Sequence, residues 1–381
     1  MRIRVIGSTK TNHEISIDEV LKFSGHEAGI CYMPDTMDAL LSEDVEKTLR
    51  RANGTLKSGH HSVFGHVSYN FILEDIPKIL AMVLNNEKVY NTSEKSARYT
   101  KMKTSKQEER LYEKWIEIYK QKIIETYPNL DEKSVLKLSQ ENARYLISVF
   151  TPATTMGYTV DARQLNYLIN WSEDFIEKAE DTEFNKLLKP VLKGFYDSVK
   201  QFKIDGLNSA EKNRKFSLFA DRDRKEEWGE NYCVNYYATF SQLAHAHRHR
   251  SLYYEISLLE ENKFIVPEII KNTELEKEWL EDISSLQHNY PQGMLIKVNE
   301  RGTVEKFIEK CQERLCGCAQ LETVLQTQEI LNKYLENTKE SNIDVYNFLL
   351  PYSKGARCTF PNFKCAKPCV WGAKHALDRK I

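Results

Sequence analysis

One order of events occurs twice along this chain of 381 residues, and that repetition constrains the fold more than composition does. In the first half the turn Ser58-Gly-His60-His61-Ser62-Val-Phe-Gly65-His66 leads into an alternating strand, Val67 to Leu73. Pro77 suits the first turn of a helix carrying Ile79, Leu80, Met82 and Val83, which runs into Asn86-Glu87-Lys88. Glu94-Lys-Ser96-Ala-Arg98-Tyr99 comes next. In the second half Trp228-Gly-Glu230-Asn231 leads into a tyrosine-rich run, then His245-Ala-His247-Arg248-His249-Arg250, then Glu255-Ile-Ser257. Arg248 stands 162 residues after Asn86, and Thr303 stands 142 after Asp161, so the second copy is shorter between these landmarks. Two tandem domains are expected, residues 1–205 and 206–340, with the turn-rich Lys203–Ser209 as linker and a tail over 341–381.

Between the landmarks the periodicity is mostly helical. Met37 to Asn53 reads as an amphipathic helix stopped by Gly54. Lys106–Tyr127, Asp131–Val149, Asp161–Ala179, Phe184–Phe202 and Thr273–Leu286 read as further helices, and Tyr290-Pro-Gln-Gly293 as a turn before a strand. A long helix is expected from Thr303, with one apolar stripe of Val304, Phe307, Ile308, Cys311, Leu315, Cys318 and Leu325. Glu322 falls within that stripe, so it is either partnered or lines a wet pocket.

The charge balance limits the function. Fifty-four basic against 55 acidic residues leave no chain-wide basic footprint for nucleic acid, so a basic site has to be local. No apolar run of about 18 residues exists to span a bilayer. The N-terminal Met1-Arg-Ile-Arg-Val-Ile-Gly7 alternates like a strand rather than a signal peptide, which points to the cytoplasm and to reduced cysteines.

The local basic site is Arg248-His249-Arg250. Two guanidiniums this close repel unless an anion lies between them, and a planar fork suits phosphate by paired hydrogen bonds. In a helix His245, Arg248 and His249 share a face. A solvated basic patch competes with this reading. So does a zinc site of His245, His247 and His249, although no thiol or carboxylate lies at ligand spacing nearby.

Taken in order, these landmarks resemble the flavin-dependent thymidylate synthases, over roughly residues 25 to 330. That family has a His-x-Ser/Thr-x-x-Glu-His turn, an Arg-His-Arg, an Asn-Glu-x-Ser-x-Arg-Tyr, an Ala-Arg, an Asn-x-Arg and a helix with Arg-x4-Ala-Gln-x-Glu. The first half matches at His60, Ser62, His66, Glu94, Ser96, Arg98, Tyr99, Ala143-Arg144 and Arg163, and departs at Gly65, Asn86-Glu87-Lys88, Asp161 and Ser172. The second half matches at Arg248-His249-Arg250 and at Arg314-x4-Ala319-Gln320-x-Glu322, and departs at His245, Gln287, Thr303 and Glu305.

The resemblance implies an α+β protein of two tandem copies, each a small, mostly antiparallel sheet flanked by long helices. It implies conversion of dUMP to dTMP with FAD, with NADPH and methylenetetrahydrofolate as co-substrates. By resemblance Arg314 is catalytic, lying over the pyrimidine, where a cation favours the ionised uracil. Arg248, Glu94, Ser96, Arg98 and Arg144 would hold dUMP, and Arg248, His249, Arg250, Ser62 and Arg163 would hold FAD. Family sites form between subunits, so a homodimer imitating the family tetramer is expected. The divided motifs leave a second reading, a catalytically degenerate protein that binds flavin or nucleotide.

The tail beyond Tyr352 lies outside the resemblance. Cys358, Cys365, Cys369 and His375 could make a Cys3His zinc knot, or three cysteines an iron–sulfur cluster; reduced cysteines in a docked tail compete. Arg357, Phe360, Phe363 and Lys364 mix charge with aromatics, which would suit a nucleic-acid knuckle, a role the overall charge disfavours.

Overall fold

The computed structural model describes the chain except residues 9–14, 33–36, 96–100, 208–217, 220–223, 248–249 and 367. The elements begin with β1 (Arg2–Ser8), α1 (Ile17–Tyr32), α2 (Met37–Leu41), α3 (Val45–Ser58), β2 (Ser68–Pro77), α4 (Lys78–Asn86) and β3 (Asn91–Glu94). Next come α5 (Lys106–Thr126), α6 (Glu132–Ala143), β4 (Pro152–Asp161), α7 (Ala162–Lys178) and α8 (Glu183–Val199). The second half holds β5 (Asn231–Thr239), α9 (Phe240–Ala246), β6 (Tyr253–Leu258), α10 (Glu274–Ser284) and β7 (Leu295–Thr303). It ends with α11 (Val304–Arg314), α12 (Leu321–Thr338), α13 (Ile343–Leu349) and the short α14 (Gly372–His375). Two compact units result, and they are interleaved in sequence. One comprises Met1–Ala81, Glu87–Lys95 and Thr154–Phe216, the other Met82–Asn86, Ser96–Ala153 and Ser217–Ile381. No helix among the described residues is long and apolar enough to cross a membrane.

The first unit is built on a sheet of strand order β1-β2-β4-β3. Tyr69, Phe71 and Leu73 alternate inward along β2, and the Phe202 ring lies 5.0 Å from that of Tyr69. The helix expected over Met37–Asn53 is instead two helices. Asp44 accepts from the backbone N–H groups of Glu46 and Lys47, and this cap starts α3 afresh. Gly54 lies inside α3, and the stop is Gly59, whose φ of 77° is the left-handed conformation that closes a helix. The expected linker is packed rather than free. Ile204 and Leu207 are buried, and the Asn166 side chain accepts from Ile204 N (2.7 Å) and donates to Leu207 O. Its last residues, 208 and 209, lie outside the described residues.

The second unit has a sheet of order β5-β7-β6, antiparallel throughout. Its core sets Trp115 edge-on to Trp279, ring centres 4.8 Å apart, and takes in Ala356, Trp371, Ala376 and Ile381 from the tail. Glu108 closes a capping box with Ser105 at the start of α5 and also accepts from Ser148 N (2.7 Å) and Thr151 Oγ1 (2.8 Å), so its buried carboxylate is satisfied. The long helix expected from Thr303 breaks at Leu315: α11 ends there, and the turn 315–320 carries Cys316-Gly-Cys318 before α12. The stripe holds through Cys311 and Leu315, whereas Cys318 is exposed.

The two sheets share strand order and register. In the first, β2-β4-β3 pairs Asn91 with Thr159 and Glu94 with Met156. In the second, β5-β7-β6 pairs Tyr253 with Arg301 and Ile256 with Val298. The β6 residues stand 162 positions after their β3 counterparts, and the β7 residues 142 after those of β4, the same offsets that relate the sequence landmarks. The helix starts agree: α9 begins 162 residues after α4, and α11 begins 142 after α7. Even the caps correspond. Asp161 ends β4 and accepts from Gln164 N, as Thr303 ends β7 and accepts from Lys306 N.

Candidate functional site

In the first unit chemistry concentrates where β3 ends. The Glu94 carboxylate is buried, accepts from Lys78 Nζ at the start of α4, and takes a second bond from Thr154 Oγ1 at 3.3 Å. A strand end, a helix start and a neighbouring strand thus hold one carboxylate in one place. Ser96 and Arg98 lie outside the described residues. Arg163 is half-buried in the first turn of α7, just after the Asp161 cap. Ser62 is exposed on the turn His61–Gly65, and the ring of buried His61 hydrogen-bonds Leu56 O at 3.1 Å.

In the second unit a polar network ties α6 and α9 to the start of α12. Buried Arg144 donates to Gln320 Oε1, and Gln320 Nε2 donates to Tyr145 Oη at 2.5 Å. The Tyr145 hydroxyl donates to Glu322 Oε2 at 2.9 Å, and Glu322 also accepts from Thr239 N (2.9 Å) and Thr239 Oγ1 (2.8 Å). Of the two sequence readings of Glu322, the partnered one is therefore what the fold adopts. Burial raises its pKa, against the hydrogen bonds from Thr239 and Tyr145 and the charge of Arg144. Arg144 Nε is buried and has no acceptor among the described residues. A guanidinium N–H left open in this way fits an anionic ligand.

Arg314 ends α11, buried, and donates to His245 O at 2.8 Å, with its other terminal nitrogen 2.6 Å from His245 Nε2. α9 ends at Ala246, and Arg248 and His249, expected to share a helical face with His245, lie outside the described residues. Arg250 is exposed, at φ 52°.

One buried pair was missed from sequence. Lys310 Nζ donates to both carboxylate oxygens of Glu300 (2.9 and 2.7 Å) and to Gln326 Oε1 (3.0 Å), while the hydroxyls of Tyr232 and Tyr236 each donate to Glu300 at 2.7 Å. The signal was present in the stripe: Lys310 lies three residues after Phe307 and four before Arg314, on the buried face.

His375 is exposed and pairs with Asp378 at 3.5 Å, and Cys358 and Cys365 are exposed too. Cys369 lies by Gly317, where a Cβ would come within 2.7 Å of its Sγ. The Cys316 thiol beside it is lowered to about 6, chiefly by the Cys318 hydrogen bond and then by the charges of Arg357 and Arg379.

No curated protein matches the chain. Among solved structures it is similar to a flavin-dependent thymidylate synthase from Helicobacter pylori complexed with FAD and dUMP. The identity is 15%, over 54% of this chain and 100% of that one, with a TM-score of 0.31. It is also similar to a UMP/dUMP methylase from Streptomyces cacaoi bound with 5-Br dUMP, at 16% identity over 52% of this chain and 90% of that one, TM-score 0.33. These overlays are shallow, and the sequence match is the more local finding. It takes in Ser62, Glu94, Ser96, Arg98, Arg144 and Arg163 and stops short of Arg248–Arg250, Arg314 and the tail. Residues 21–174 match the family of thymidylate synthase complementing proteins.

Proposed function

We propose that the chain is a flavin-dependent thymidylate synthase-like enzyme that converts dUMP to dTMP, with methylenetetrahydrofolate as carbon donor and NADPH as reductant. The observation that carries this reading is the family match over residues 21–174, which contains the first-half motif residues in their expected order. FAD, when bound, supplies hydride transfer; the protein's task is to hold flat anionic molecules in contact. Ser62, Arg163, Arg248, His249 and Arg250 would hold FAD. Glu94, Ser96, Arg98, Arg144 and Arg248 would hold dUMP. The open Nε–H of Arg144 supports its role towards an anion. Arg314 would polarise the pyrimidine, which requires it to exchange its hydrogen bonds with His245 for bonds to the nucleotide.

The common register of the two sheets supports a duplication in which each copy keeps part of the motif set. On that reading the protein is a homodimer of 89 kDa, twice the 44.5 kDa chain, with one flavin per chain. A second reading, a flavin- or nucleotide-binding protein without turnover, is favoured by the internal partners that Arg314 and Glu322 already have. An anaerobic assay with dUMP, methylenetetrahydrofolate and NADPH separates the two. Flavin reoxidation coupled to dTMP formation is expected, and flavin binding without dTMP favours the second. Failure to take up either FAD or dUMP excludes both.

A further inference from the structure

Four thiols from distant parts of the sequence gather on one turn of the second unit, and the proposed reaction uses none of them. Cys316 and Cys318 lie in the turn between α11 and α12, where Cys318 N donates to Cys316 Sγ at 3.5 Å. Two stretches of tail dock on this turn. Arg357 N donates to Leu315 O at 2.6 Å, which ties the stretch carrying Cys358 to this turn. Cys369 packs against Gly317, between the two turn cysteines, at a place where any larger residue would collide with its Sγ. Arg379 holds the end of the tail down: its three guanidinium nitrogens donate to the main-chain oxygens of Ile381, Ala376 and Ala319.

We propose that Cys316, Cys318, Cys358 and Cys369 are the four ligands of one thiolate metal centre, either a zinc ion or an iron–sulfur cluster. Four sulfurs without imidazole or carboxylate is the donor set both groups take. The set differs from that expected on tail spacing alone, because two ligands come from the break in the long helix. His375 is engaged with Asp378, and Cys365 lies on the exposed stretch between the docked segments. Among the described residues no three such side chains already stand at ligand geometry. Closure therefore requires rotation of cysteine side chains on a backbone that is already in place. A divalent ion bound by four thiolates, with the remaining thiol protons released to solvent, is a dianionic complex, which Arg357 and Arg379 offset. The centre would staple a tail whose own buried apolar residues are few.

The test is metal and acid-labile sulfide analysis of the full-length protein, purified without oxygen after growth with added zinc and iron. One zinc per chain, or iron with matching sulfide, is expected. Cys316→Ala, Cys318→Ala, Cys358→Ala and Cys369→Ala should each lose the metal, while Cys365→Ala and His375→Ala retain it. Should a variant fail to fold, cobalt(II) added to chelator-stripped wild type reports instead, through thiolate-to-cobalt absorption. Folded wild type with neither metal nor that absorption overturns the proposal. So does a disulfide joining two of the four cysteines in the fresh protein, or metal lost with Cys365 or His375 but kept without Cys318.

Discussion

The two sheets share a backbone plan and place their buried charge at different positions. The first unit buries Lys78, Glu94 and Thr154 together. At the matching positions, later by 162, 162 and 142 residues, the second has Phe240, Ile256 and Ile296, all buried and apolar. Conversely Glu300 and Lys310 match Tyr158 and Leu168, again buried in the first unit. Strand pairing uses backbone groups, so register survives while the polarity of the interior changes. A buried charge survives only with its partner, so such groups are gained or lost in sets. Buried charges can thus differ between the two sheets without disturbing the backbone plan.

The largest effect should come from splitting a buried pair. Lys310→Met leaves the Glu300 carboxylate without its cation and should cost about 3–5 kcal/mol in urea unfolding. Glu300→Tyr with Lys310→Leu, the residues of the first unit, should recover most of that loss. A single variant as stable as wild type would break the comparison.

The mirror experiment is smaller, because Lys78 is less completely buried. Lys78→Met should cost about 2–3 kcal/mol. The triple exchange Lys78→Phe, Glu94→Ile and Thr154→Ile should fold with native circular dichroism yet lose dUMP affinity. Unchanged affinity would remove Glu94 from the nucleotide site.

The units should also differ in their response to pH. Burial raises the Glu322 pKa above 4.5, so the folded form binds its proton more tightly and stability falls as pH rises from 4.5 through the folded value. In the first unit Arg51 holds Glu43 down to about 2, so that contribution is present above 4.5 and is lost as pH falls towards 2. Melting temperatures of Glu322→Gln and Glu43→Gln across acid pH should flatten these two slopes separately. Smallest of all, Lys186→Ala breaks an exposed, solvent-screened pair with Glu183 and should leave the urea midpoint unchanged.

Local signals in the sequence determined much of this. Landmark offsets of 162 and 142 reappear in strand register and helix starts, because strands and caps follow from neighbouring residues. A carboxylate inside an apolar stripe already showed that Glu322 needed partners. Where sequence reading failed locally, a stronger signal competed: the Asp44 cap overrode a continuous apolar pattern. Tertiary structure alone decided who the partners are. Glu322 is served by Tyr145 and Thr239, 177 and 83 residues away, and the cysteines at the break after α11 meet a tail about 40 residues further on. Periodicity reports which face is buried, and it carries no information about what arrives to cover that face.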